Sequence, residues 1–120
     1  MANYKTGRSL DDVFQALSDA TRRSVLSRLS TGPATVTDLA KPFDMALPSF
    51  LKHVRLLEHS GWIETQKAGR VRSCRIRPET LAGAQRWLQV QHEVWMARTN
   101  RLEQFVVGET LTPTRRKTKA

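Results

Sequence analysis

Apolar residues along this chain recur first with the period of a helix, then with that of a strand, then with that of a helix again. Leu10, Val13, Phe14 and Leu17 mark one face of a helix predicted over 9–17, with Ser9 as its cap and Asp11 and Asp12 in its positive first turn. Val25, Leu26 and Leu29 carry a second helix over 20–29, capped by Ser18 or Asp19, with Arg22, Arg23 and Arg28 outside the apolar stripe. Thr31-Gly32-Pro33 stops it. Thr35-Val36-Thr37-Asp38 has the spacing of a capping box, Asp standing for Glu, and opens a short third helix that Pro42 ends. After the turn Asp44-Met45-Ala46, Pro48 suits the first turn of a fourth helix, where its missing N–H goes unused. This helix runs to His59, and Gly61 supplies the stop. Leu47, Phe50, Val54 and Leu57 form its inward stripe. Lys52 and His59 lie opposite, with Ser49 and Arg55 on the flanks.

From residue 62 the period drops to two. Segments 62–67 and 71–77 read as the strands of a hairpin around Ala68-Gly69-Arg70, with Gly69 allowing the positive φ of a tight turn. Cys74 and Ile76 share one face of the second strand; Val71, Ser73, Arg75 and Arg77 share the other. Pro78 and Glu79 then start a helix predicted over 78–107, along which Leu81, Ala84, Leu88, Trp95, Leu102 and Phe105 recur at roughly helical spacing. At 1.5 Å per residue it is on the order of 40 Å long. Trp87, Val94, Trp95 and Phe105 outreach so small a core, and a second copy of the chain is the simplest cover.

A chain of 120 residues has room for one domain, expected over 9–108 between a flexible N-terminus (1–8) and a basic, disordered tail (109–120). No apolar run approaches the ~20 residues that span a bilayer. No secretory signal opens the sequence, and the single Cys74 has no intramolecular disulfide partner. A soluble, cytoplasmic protein without membrane association is the expectation.

The net charge of +9 calls for a polyanionic partner, and its distribution narrows the choice. Residues 41–77 hold eight Lys and Arg against Asp44, Glu58 and Glu64, and the tail adds Arg115, Arg116, Lys117 and Lys119. The other segments are nearly neutral. The excess therefore falls on the fourth helix, the hairpin and the tail, which implies a binding surface. No phosphate-binding glycine loop, nucleophile elbow or paired carboxylates point to catalysis, so the chain is expected not to be an enzyme and to need no cofactor.

The predicted order is α-α-α-α-β-β-α: mainly helical with a small β-hairpin. The third and fourth helices form a helix-turn-helix, and the hairpin forms a wing with Lys67, Arg70 and Arg72 near its tip. Ala16-Leu17-Ser18-Asp19-Ala20-Thr21-Arg22-Arg23 resembles the opening motif of the ArsR/SmtB family of winged-helix repressors. The stretch from Leu51-Lys52-His53-Val54 to Gly61-Trp62-Ile63 resembles the family's recognition helix, and Gly69-Arg70 followed by Cys74-Arg75-Ile76 resembles its wing. The resemblance covers about residues 10–105. It implies a homodimer joined through the first and last helices, which set two recognition helices into successive major grooves of a partly palindromic operator.

On that basis Ser49, Lys52, His53 and Arg55 are assigned to the DNA face, with Lys67, Arg70 and Arg72 on the wing. Lys52 is the candidate for a guanine contact, because an ammonium donates to O6 and N7. Ser49 suits a phosphate or a base edge; Arg55 and the wing arginines suit phosphate or the minor groove. Leu10, Phe14, Trp87, Val94, Trp95, Leu102 and Phe105 are assigned to the dimer interface. Leu51 replaces the family's usual Ser and is expected in the core, with a thymine methyl as the other option.

The family's metal-binding motifs are missing. Helix three has neither Cys nor His, and the adjacent His92 and Glu93 point in different directions. Cys74 fits a small core residue better than a redox sensor, and the tryptophans fit packing better than a ligand pocket. A small-molecule effector between the long helices stays open. So do two other readings: a nonspecific nucleoid-type DNA binder, and a winged helix used for protein or RNA contacts.

Overall fold

The computed structural model describes residues 9–110. The expected flexible N-terminus and most of the basic tail lie outside the described residues. The elements run α1 (Leu10–Ala16), α2 (Ala20–Leu29), β1 (Ala34–Thr35), α3 (Val36–Ala40), α4 (Leu47–His59), β2 (Ile63–Ala68), β3 (Val71–Ile76) and α5 (Pro78–Thr110). This is a mainly helical winged helix-turn-helix.

Local chemistry sets the helix ends. The side chains of Ser9, Asp19 and Thr35 accept hydrogen bonds from the backbone amides of Asp12, Arg22 and Asp38, each at 3.1 Å. At the far end of α4, Gly61 takes φ 90°. Its amide donates to the Glu58 carbonyl at 3.1 Å, and the Trp62 amide donates to that of Leu57 at 3.0 Å. This double closure satisfies two orphan carbonyls and turns the chain straight into β2.

The sheet contains one strand more than the hairpin predicted. Ala34 and Thr35 pair antiparallel with Cys74 and Ser73, giving the order β1-β3-β2. Two residues are too few to show a period of two, so nothing local announces this strand.

By its internal contacts the chain divides into two units, 1–84 and 85–120, and α5 contributes to both. The first unit holds the core. Val25 and Leu29 of α2, Leu39 of α3, and Phe50, Val54 and Leu57 of α4 are buried with Trp62, Ile63 and Cys74. Phe43 stacks on Phe50 with ring centroids 5.4 Å apart. The Trp62 indole Nε1 donates to the Val13 carbonyl at 2.8 Å, tying α1 to the start of the hairpin.

Two expectations are corrected here. Leu47 is half exposed rather than inward. It occupies the first turn of α4, before the helix reaches the core, and Phe43 fills the space against Phe50 instead. Arg22, expected outside the stripe of α2, is buried. Its Nε donates to the Ala16 carbonyl at 2.8 Å and its Nη2 to the Gln15 carbonyl at 3.3 Å, so it caps the end of α1.

In the second unit α5 carries an exposed apolar stripe. Leu88, Trp95 and Leu102 repeat every seven residues, as do Trp87 and Val94, and this spacing keeps them nearly in line. The helix continues to Thr110, past the predicted end at residue 107.

Candidate nucleic-acid interface

Phe50, Val54 and Leu57 fix which side of α4 faces the core. Helical geometry then sets Lys52 on the opposite side, with Ser49 and Arg55 to left and right, and all three are exposed. The hairpin approaches α4 along the Arg55 side. Its angle is held by Thr65, whose Oγ1 donates to Glu58 Oε2 on α4 at 2.8 Å. Gly69, at φ 63°, makes the two-residue turn that places Arg70 at the tip.

Four cations gather where α3, α4 and the hairpin meet. Arg55, Lys67, Arg70 and Arg72 line one groove of about 280 Å³, together with Val36, Thr37, Leu51 and Val54. Lys67 stands directly opposite Arg72 across the β2–β3 ladder. Like charges so placed destabilise a hairpin. Nearer the base of the sheet Glu64 opposes Arg75, and the two form an ion pair at 2.7 Å. Among the described residues no salt bridge neutralises Lys67, Arg70 or Arg72. The wing is thus balanced at its base and purely cationic at its tip, an arrangement that an anion in the groove would relieve.

His53 departs from its predicted place. It is half-buried and turned toward α2, where its Nδ1 lies 3.1 Å from Arg22 Nη1 and 3.6 Å from Asp19 Oδ2. A guanidinium only donates, so Nδ1 accepts from Arg22. His53 falls between the buried row and the exposed face of α4, and the polar start of α2 offers it partners there. The hydrogen bond from the Arg22 amide holds the Asp19 carboxyl below its ordinary pKa, with the Arg22 guanidinium acting in the same direction against partial burial. This cluster braces α4 against α2.

Leu51 is half-buried and packs against the core. Thr37, which sequence reasoning left out, lines the groove; its position beside the capping Thr35 gave no signal of it. On α1, Leu10 is exposed while Phe14 packs partly against the core. Trp87, Val94, Trp95, Leu102 and Phe105 are all exposed.

Cys74 is buried, and burial pushes its thiol up to about 11, with Glu58 reinforcing the shift and Arg72 opposing it. The thiolate is the reactive form. Native protein at pH 7.5 should therefore resist thiol alkylation and react fully once unfolded in guanidinium. Rapid labelling of the native chain would contradict the buried placement. Among the described residues no three His, Cys, Asp or Glu side chains gather as a metal site, and no helix is long and apolar enough to cross a membrane.

A family profile described as a helix-turn-helix domain matches residues 17–66, from the end of α1 into β2. The HTH-type transcriptional regulator Rv2034 of Mycobacterium tuberculosis is 35% identical over 77 residues, 64% of this chain and 72% of the relative. The transcriptional repressor SdpR of Bacillus subtilis is 35% identical over 60 residues, 50% of this chain and 67% of its own. The crystal structure of an ArsR family transcriptional regulator matches with a TM-score of 0.71 at 61% identity, over 72% of this chain and 96% of that one. The chain belongs to the ArsR family of transcriptional regulators. That membership places the chain in a family of transcription regulators, not of enzymes. It also makes α3 and α4 the helix-turn-helix and the β2–β3 hairpin the wing.

Proposed function

We propose that this ArsR-family protein is a homodimeric repressor that binds a partly palindromic site in double-stranded DNA. The observation that carries the reading is the groove in which Arg55, Lys67, Arg70 and Arg72 converge beside the exposed face of α4. A helix of this kind fits the major groove, where base edges are distinguishable. Lys52, on the outermost side of α4, is the base reader; Ser49 bonds a base edge or phosphate beside it. Arg55, Lys67, Arg70 and Arg72 grip phosphate. His53 serves by holding α4 in place through Arg22 and Asp19. The second copy of the chain covers the apolar stripe of α5, with Leu10 and Phe14 of α1 as further interface residues. Occupation of a promoter then excludes RNA polymerase.

Selection of binding sites from random double-stranded DNA at near-physiological salt tests this. The expected product is an inverted repeat with half-sites about one helical turn, roughly 10 base pairs, apart. Tight binding only at low salt, with no sequence enriched, would instead support the nonspecific reading.

Phosphate contacts have their own signature. Each cation that neutralises a phosphate adds about 0.9 to the slope of log affinity against log salt. Arg70→Ala should weaken binding to every sequence alike and lower that slope by about one per bound protomer. An unchanged slope would remove Arg70 from the phosphate set.

A further inference from the structure

The turn into α4 exposes four consecutive apolar residues, Met45, Ala46, Leu47 and Pro48. Met45 and Leu47 are 36% and 52% exposed. Such a run on a soluble surface is a liability unless it serves a contact. It sits at the tip of the helix whose outer side carries Lys52 and Arg55. The N-cap residue is Ala46, which makes no side-chain hydrogen bond to the helix, and Pro48 has no N–H to offer. A protein about to insert this turn among base edges would ordinarily present polar groups there. This chain presents hydrocarbon.

Among the partners that a cationic surface attracts, one offers hydrocarbon at the same place. Of the four bases, only thymine carries a methyl group on its major-groove edge. A protein partner would need no groove of four cations between this helix and the hairpin. We infer that Leu47 is a specificity-determining residue, reading a thymine 5-methyl group in each half-site, with Met45 and Pro48 closing the contact from water. The inference rests on the DNA-binding reading above and adds a base preference to it.

Deoxyuridine tests this directly, because it removes the methyl group and nothing else. Each thymine of the selected operator is replaced in turn by deoxyuridine, and the full chain and its Leu47→Ala variant are titrated against every duplex. In the unaltered protein one thymine per half-site should be sensitive, losing about fourfold in affinity, the equivalent of one buried methyl group. In Leu47→Ala that sensitivity should vanish while sensitivity at other positions persists. Leu47 lies outside the buried core, so the variant should keep its melting temperature. If no thymine is sensitive, or if Leu47→Ala leaves the sensitive position unchanged, the inference is overturned and DNA binding stands. If selection yields no operator at all, both readings fall together.

Discussion

Trp95→Glu should turn the protein into a folded monomer. Trp95 is 63% exposed, and Val94, Leu102 and Phe105 on the same helix are more than half exposed. Soluble monomers rarely show contiguous apolar patches beyond a few hundred Å². Covered by the same helix of a second copy, this stripe becomes an isologous interface in which each substitution acts twice. A carboxylate buried there without a partner costs several kcal/mol, and about 1.4 kcal/mol is a tenfold change in dissociation constant. Sedimentation at micromolar concentration should show a dimer for the unaltered chain and a monomer for the variant. The far-UV circular dichroism of a folded helical chain should survive, because no core residue is touched. A variant that still sediments as a dimer would take Trp95 out of the interface. Its affinity for an inverted repeat should fall along with dimerisation, since one half-site alone offers half the contacts.

The second large effect concerns Trp62. This side chain fills the core behind the hairpin and also donates to the Val13 carbonyl. Trp62→Ala should cost about 3–5 kcal/mol, because a large cavity remains where the ring stood. Trp62→Phe separates the two contributions. It keeps much of the apolar volume and leaves the Val13 carbonyl without its donor, a loss of about 1–3 kcal/mol. Domains of this size are stable by only about 5–15 kcal/mol, so Trp62→Ala approaches the limit of folding. Urea denaturation at fixed protein concentration measures both, since dimerisation contributes to apparent stability. Equal losses in the two variants would mean that the hydrogen bond, rather than the packing, carries the effect.

Much of this fold was legible because its signals are local. Ser9, Asp19 and Thr35 cap the helices they precede, Gly61 ends α4, and Gly69 turns the hairpin, each for a reason contained in a few residues. What escaped depends on distant partners. The β1 strand exists only because β3 lies beside it. Arg22 looked like a surface charge because nothing in its neighbourhood shows that the carbonyls of Gln15 and Ala16 would face it. Leu47 has the right phase for the core and lies too early in the helix to reach it. His53 was read with the basic residues around it, yet its ring turns to Arg22 and Asp19, 31 and 34 positions away in sequence. For the site, the cations of the wing could be named from the sequence, whereas their convergence with Arg55 and Thr37 on one groove required the angle set by Glu58 and Thr65.

That angle has a mechanical side. Only Ser60, Gly61 and Trp62 separate α4 from β2, and all three are buried. The closure at Gly61 and the Glu58–Thr65 bond tie the recognition helix directly to the wing. A pair so tied is expected to act as a caliper set at one opening. A duplex seated between its jaws would have to supply the adjustment itself, by bending or by changing its groove width. Base pairs that no side chain touches would then influence affinity through their stiffness.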